Sequence, residues 1–233
     1  AGLPEAWCQP LVVNELEVAT QLVTDMRVGF FSFIGSARVG WMLRAKLAPG
    51  ARCALEHGGA APVIMARDAD LEQALPLLAK GGFYHAGQVC VSVQRVYCHA
   101  SVAHELAAGL AALAQALKVG DPTAADTEVG PLIRTREVTR VHEWVTAAIA
   151  AGAEKLCGGE VLSASCYAPT VLFNPPDDVA VSQQEIFGPV VCVYSYDDMD
   201  AALARANALP VAFQAAVFTS ELDTALHCYR QLD

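Results

Sequence analysis

Charge is scarce in this chain. Only 17% of its 233 residues are Asp, Glu, Lys or Arg, against 54% hydrophobic, so an intrinsically disordered chain is excluded. What charge there is leans acidic, to a net −10, and no cluster of lysines and arginines offsets it locally. A nucleic-acid or anionic-membrane partner is therefore not expected. No stretch of 18 residues is both apolar and free of charge, so no membrane-crossing helix is expected either. The eight cysteines (8, 53, 90, 98, 157, 166, 192 and 228) contain no Cys-x-x-Cys pair, and no Cys/His set has zinc-finger spacing. A structural metal site is not expected. Most of these cysteines sit in apolar runs such as Val191-Cys192-Val193, as small buried hydrophobes do. Together with the lack of a charged-then-apolar leader, this points to a reducing, cytoplasmic compartment. Internal repeats, low-complexity tracts and flexible linkers are also missing.

What remains is an alternation of short apolar runs and longer amphipathic ones. Strands are expected at 29–34, Cys53 to Glu56, Val63 to Ala66, Arg95 to His99, Tyr167 to Phe173, Val190 to Tyr196 and Phe213 to Thr219. Between them fall helices at Arg38 to Leu47, 136–151, 198–208 and 221–232. Asp70 with Gln73 resembles a capping box opening a helix through Leu71, Leu75 and Leu78, although Pro76 falls inside it. Ser101 is expected to cap a helix carrying Leu106, Leu110, Leu113 and Leu117. Such an order predicts an α/β fold: a parallel-type sheet flanked by helices.

Four short motifs carry chemistry. Gly35-Ser36, between a strand and a helix, offers free N–H groups and a hydroxyl at a helix N-terminus, a cradle for pyrophosphate. The Gly-x-Gly-x-x-Gly fingerprint occurs nowhere. Glu56 ends an apolar strand before Gly58-Gly59; partial desolvation there would suit a general base, and the glycines would admit a close ligand. Cys90 follows the small-residue run Gly81 to Gln88, which would leave the thiol exposed and its own N–H free to hold an oxyanion. His57 and His85 read as packing groups more than as bases. Glu185-Ile186-Phe187-Gly188-Pro189 sets a carboxylate, able to accept two hydrogen bonds from a ribose diol, beside a ring.

In this order and spacing, 34 residues from Glu56 to Cys90 and 95 from Cys90 to Glu185, the motifs resemble those of the aldehyde dehydrogenase superfamily. The family's nucleophile motif Gly-Gln-x-Cys is intact at Gly87 to Cys90, and Glu-Ile-Phe-Gly-Pro at 185–189. Phe33 to Gly40 and Glu56 to Gly59 match two more, with Ile34 for Thr, His57 for Leu, Ala60 for Lys and Gln184 for an acidic residue. A later pattern survives in part from Asn207 through Ala215 and Val217, with Val211-Ala212-Phe213 in place of Tyr-Gly-Leu.

The resemblance implies an aldehyde dehydrogenase catalytic domain at 60–233 and a partial Rossmann-like cofactor-binding portion at 1–59. It implies NAD or NADP as cofactor, Cys90 as nucleophile and Glu56 as base. Gly35 and Ser36 would face the pyrophosphate, Val39 the adenine, Glu185 the nicotinamide ribose and Phe187 the ring. The product would be a carboxylic acid formed from a small aldehyde, because CoA-acylating relatives commonly lack the glutamate at 56. Cys90 through Arg95 is similar to relatives acting on lactaldehyde or semialdehydes. Family members are about twice this long and form homo-oligomers. The resemblance thus makes this a central segment lacking an upstream Asn oxyanion donor, and an incomplete enzyme by about 10²–10³ in turnover. The alternatives are a non-catalytic interaction segment, or a reductase of acyl phosphates or thioesters.

Overall fold

The computed structural model describes residues 2–210 and 212–233; Val211 of the partly matching late motif lies outside them. The chain forms two compact units, Ala1–His57 and Gly58–Asp233.

The first unit contains helix α1 (Leu16–Thr24), strand β1 (Phe30–Gly35), helix α2 (Ala37–Arg44) and strand β2 (Arg52–His57). β1 and β2 pair in parallel, with Ile34 opposite Glu56 and Gly35 opposite His57, so α2 is the crossover of one β-α-β unit. Two glycines permit its tight geometry. Gly35 has φ +155°, and an added Cβ would press on the Phe33 ring. A Cβ on Gly40 would collide with the His57 imidazole, so glycine here lets the helix lie close on the strand.

In the second unit, six strands run in the order β5-β6-β7-β4-β3-β8: Glu154–Cys157, Thr170–Phe173, Val190–Tyr196, Arg95–His99, Pro62–Met65 and Ala216–Phe218. All pair in parallel except β5 with β6. Helices α3 (Leu71–Phe83) and α4 (Ala100–Ala116) pack together, and α4 lies on β4, β6 and β7, while α7 (Met199–Ala206) packs on β3, β4 and β7. The remaining helices are α5 (Thr135–Ala150), α6 (Ala180–Gln183) and α8 (Leu222–Gln231). The central strands read as continuous apolar runs because both faces are covered: Ile64, Val96, Cys192 and Val193 are wholly buried. The expected α/β architecture is what the chain adopts.

The helix expected from Asp70 forms, and other local expectations are corrected. Pro76 sits inside α3 without ending it; Asp70 does cap that helix, accepting from the Gln73 N–H. The cap of α4 is His99, whose Nδ1 accepts from the Ser101 N–H, and Ser101 lies within the first turn. The strand expected from Tyr167 starts only at Thr170, because Pro169 has no N–H to give a ladder. α1, β5 and α6 were not anticipated.

One buried cation belongs to the frame. Arg95 is 1% exposed, and among the described residues it forms no ion pair with a carboxylate. Its guanidinium donates to the carbonyls of Ala60, Arg205 and Ala206 and to the Tyr97 hydroxyl. Two of those carbonyls end α7, where the helix dipole favours a positive charge.

Candidate active site

In the first unit, β1 delivers Gly35 and Ser36 to the start of α2. Ser36 is the N-cap residue, but its hydroxyl is not used as a cap; it is exposed. Val39 and Gly40 close the first turn onto the Ser36 carbonyl, and Val39 is half-buried. Glu56, on β2, is exposed rather than sunk at the strand end, so the desolvation expected of it is not present. Cys53, Ala54 and Leu55 are each partly buried, and Glu56 is exposed although it shares a face of the strand with Ala54. His57 takes the place beside Gly40, with its ring near Phe33 and Trp41 and its Nε2 buried without a partner.

Cys90 belongs to the second unit and is half-buried, less open than the small-residue run suggests. It is reached through three consecutive left-handed residues, His85 (φ 51°), Ala86 (φ 55°) and Gly87 (φ 69°). Two of these carry side chains, at a cost of about 1–2 kcal/mol each. Gln88 offsets part of it. Its side-chain nitrogen donates to the carbonyls of His85 and Pro131, and its oxygen accepts from the Ile133 N–H. Then Ser92 N–H bonds back to Val89 O, which makes Cys90 and Val91 the two central residues of a β-turn. The N–H groups of such central residues are not consumed by the turn's own hydrogen bond.

The Glu185 loop lies against this segment. A Cβ on Gly87 would collide with the Gly188 carbonyl, so the two motifs meet backbone to backbone. Phe187, itself left-handed at φ 49°, is 40% exposed. It lines a cleft of about 770 Å³ together with His85, Gln88, Val89, Pro131 and Ile133. Glu185 turns the other way, onto Gly58 and Gly59: any side chain at 58 would strike its carboxylate. Burial pushes the Glu185 carboxyl up, while the Gly59 N–H and the charge of Arg140 draw it partly back. Its Oε1 is buried without a hydrogen-bond partner. An acceptor left in that state is suited to a hydroxyl-bearing ligand. Among the described residues, no three His, Cys, Asp or Glu side chains gather as a metal site.

Cys90, Glu185 and Phe187 lie in the second unit, with Phe187 on the cleft, Cys90 next to the cleft residue Val89, and Glu185 against Gly58, while Gly35, Ser36, Val39 and Glu56 belong to the first. Sequence reasoning missed the cleft wall at 122–133, the bonds of Gln88 and the charge of Arg140 near Glu185. Only the position of Gln88 inside a motif hinted at one of them.

The second unit is thus an α/β domain with a thiol just after a left-handed segment and a half-buried carboxylate on a neighbouring loop. The particular family is given by comparison. The sequence model of the aldehyde dehydrogenase family matches residues 1–233, and the chain belongs to that family. It is 38% identical over 233 residues to 3-sulfolactaldehyde dehydrogenase of Priestia aryabhattai, covering 100% of this chain and 48% of that protein. Among solved structures, it is similar to an aldehyde dehydrogenase of Mycobacterium tuberculosis complexed with NAD+ (TM-score 0.86, 30% identity, 93% of this chain and 46% of that one). Another is the glyceraldehyde-3-phosphate dehydrogenase GapN of Methanocaldococcus jannaschii complexed with NADP (TM-score 0.87, 32% identity, 92% and 46%). The chain spans about half the length of the curated relatives it matches.

Proposed function

We propose that the protein oxidises a small aldehyde to its carboxylic acid with a nicotinamide dinucleotide, NAD or NADP, using Cys90 as a covalent nucleophile. The observation that carries this reading is the Cys90 turn: a half-buried thiol at the centre of a β-turn, next in sequence to Val89, which lines a cleft together with Phe187. The residues present also fit the cofactor, because the unpartnered Oε1 of Glu185 beside two glycines is an acceptor that a ribose hydroxyl would satisfy.

In this reading Glu185 and Phe187 hold the nicotinamide ribose and ring. Gly35 and Ser36 face the pyrophosphate and Val39 the adenine, making residues 1–59 part of a cofactor-binding portion and 60–233 the catalytic domain. The bound nicotinamide would supply the acceptor for a hydride. The Cys90 thiolate adds to the carbonyl carbon, and the electron pair displaced onto oxygen is met by the N–H groups of the turn. After oxidation the acyl group remains on Cys90 as a thioester. Glu56 takes a proton from water, the hydroxyl adds to the acyl carbon, and the sulfur leaves as thiolate. A small oxygenated aldehyde is the preferred substrate, in keeping with the Cys90–Arg95 segment and the name of the Priestia relative.

Eight unbonded cysteines favour a reducing, cytoplasmic setting, and the acidic balance disfavours nucleic acid. No helix among the described residues is long and apolar enough to cross a membrane. Self-association of the full-length protein is part of the same proposal.

The direct test is Cys90→Ser in the full-length protein. It should lower aldehyde oxidation by about 10⁴-fold or more with the melting temperature unchanged. Retained activity would refute the reading.

A further inference from the structure

Gln94 is 4% exposed, and a buried amide is costly unless fully hydrogen-bonded. All three of its side-chain bonds go to one distant segment. The nitrogen donates to the Val181 carbonyl at 3.0 Å and the Gln184 carbonyl at 2.7 Å, and the oxygen accepts from the Ile186 N–H at 2.8 Å. The last two partners belong to the two peptide planes that flank the Glu185 α-carbon. Pinning both planes fixes φ and ψ at residue 185, and with them the direction in which its side chain leaves the backbone.

The other side of the contact is fixed from the same rung. The Gln94 carbonyl accepts from the Cys192 N–H, so the amide is anchored to β7. The next residue, Arg95, donates from its Nε to the Ala60 carbonyl and from its backbone N–H to Ala61, immediately after the glycines that Glu185 touches. Arg140 completes the hold by donating to the Ile186 carbonyl at 2.7 Å.

We propose that Gln94 is a positioning residue whose side-chain amide sets the orientation of Glu185 against Gly58 and Gly59. The brace is a statement about geometry; its value to the reaction rests on the cofactor role proposed above for Glu185. A glutamate at 94 would not serve, since a carboxylate oxygen would then face two carbonyls. A shorter amide could not reach both planes.

The test is an NMR titration of the 233-residue chain carrying 13C in its glutamate carboxyls, with Glu185→Gln identifying the Glu185 signal. Gln94→Met keeps length and bulk but removes all three bonds. The brace predicts that the Glu185 midpoint falls from its raised position toward that of an ordinary glutamate, as the carboxylate swings into water, while the other glutamate signals keep theirs. An unchanged Glu185 midpoint in folded Gln94→Met overturns the proposal. Should the Met variant not fold, Gln94→Asn keeps an amide one methylene too short and must give the same downward shift; no shift overturns the proposal equally.

In the full-length protein, Gln94→Met should raise the KM for the nicotinamide dinucleotide about tenfold with kcat less affected, the equivalent of roughly one lost hydrogen bond. A shifted Glu185 with unaltered KM would uphold the brace and count against the cofactor role instead.

Discussion

The two units bury their apolar residues very differently. In the first, Phe31 is the one buried large hydrophobic among the described residues, while Trp7, Leu16, Met26, Phe30 and Ile34 are all exposed. In the second, a continuous core runs from Val63 to Cys228 through both faces of a six-stranded sheet. A two-stranded sheet of this size cannot stabilise itself by burial, whereas six strands covered by helices can. The motifs are equally legible in both units, so legibility of a site and stability of its frame are separate properties of a sequence.

The largest expected effects come from breaking that contrast by mutation. Leu110 is wholly buried on α4, and Leu110→Ala should destabilise the chain by about 2–5 kcal/mol in urea denaturation. Trp41, half-exposed on α2, should change the same midpoint by no more than about 0.5 kcal/mol when replaced by Ala. Comparable losses from the two variants would erase the distinction.

A smaller electrostatic difference sharpens it. In the first unit Asp25 pairs with Arg27, two residues away and in full solvent. In the second, Asp68 reaches 151 residues along the chain to Thr219 and accepts from the Ser220 hydroxyl and N–H. The Ser220 bonds lower the Asp68 carboxyl to about 2, from 3.8. A carboxyl lowered on folding contributes stability that is full above its unfolded value and lost as the pH falls from near 4 through 2. Asp68 is partly exposed at the surface, so screening by solvent reduces this to about 1 kcal/mol. Asp68→Asn should therefore be less stable than the parent at pH 6 and no different at pH 2. Asp25→Asn, which breaks only a local contact, should leave the acid transition where it is.

How far the sequence could be read follows from the range of each interaction. The central strands, Val190 to Tyr196 and Arg95 to His99, were legible because burial on both faces leaves an unbroken apolar run. β5, Glu154–Cys157, was not: it is a four-residue edge strand with two charged residues, and only its antiparallel partner makes it a strand. α6 is a single turn with no period to detect. Of the candidate site, Cys90 and Glu185 announced themselves through local motifs. The expected burial of Glu56 failed because the end of an apolar run does not say which way its last side chain points. Gln94 was invisible as a brace, since its partners lie about ninety residues away and a glutamine before a strand has no distinguishing neighbour. The strain at His85 and Ala86 was equally hidden, because neither residue type signals a left-handed backbone.

The proposed chemistry requires that an acyl group be carried by one sulfur. Full-length protein bearing Glu56→Gln, supplied with an aldehyde and oxidised nicotinamide dinucleotide and quenched in acid, should yield a peptide containing Cys90 heavier by the acyl mass, at close to one group per chain. No adduct, or an adduct on another of the eight cysteines, would contradict it.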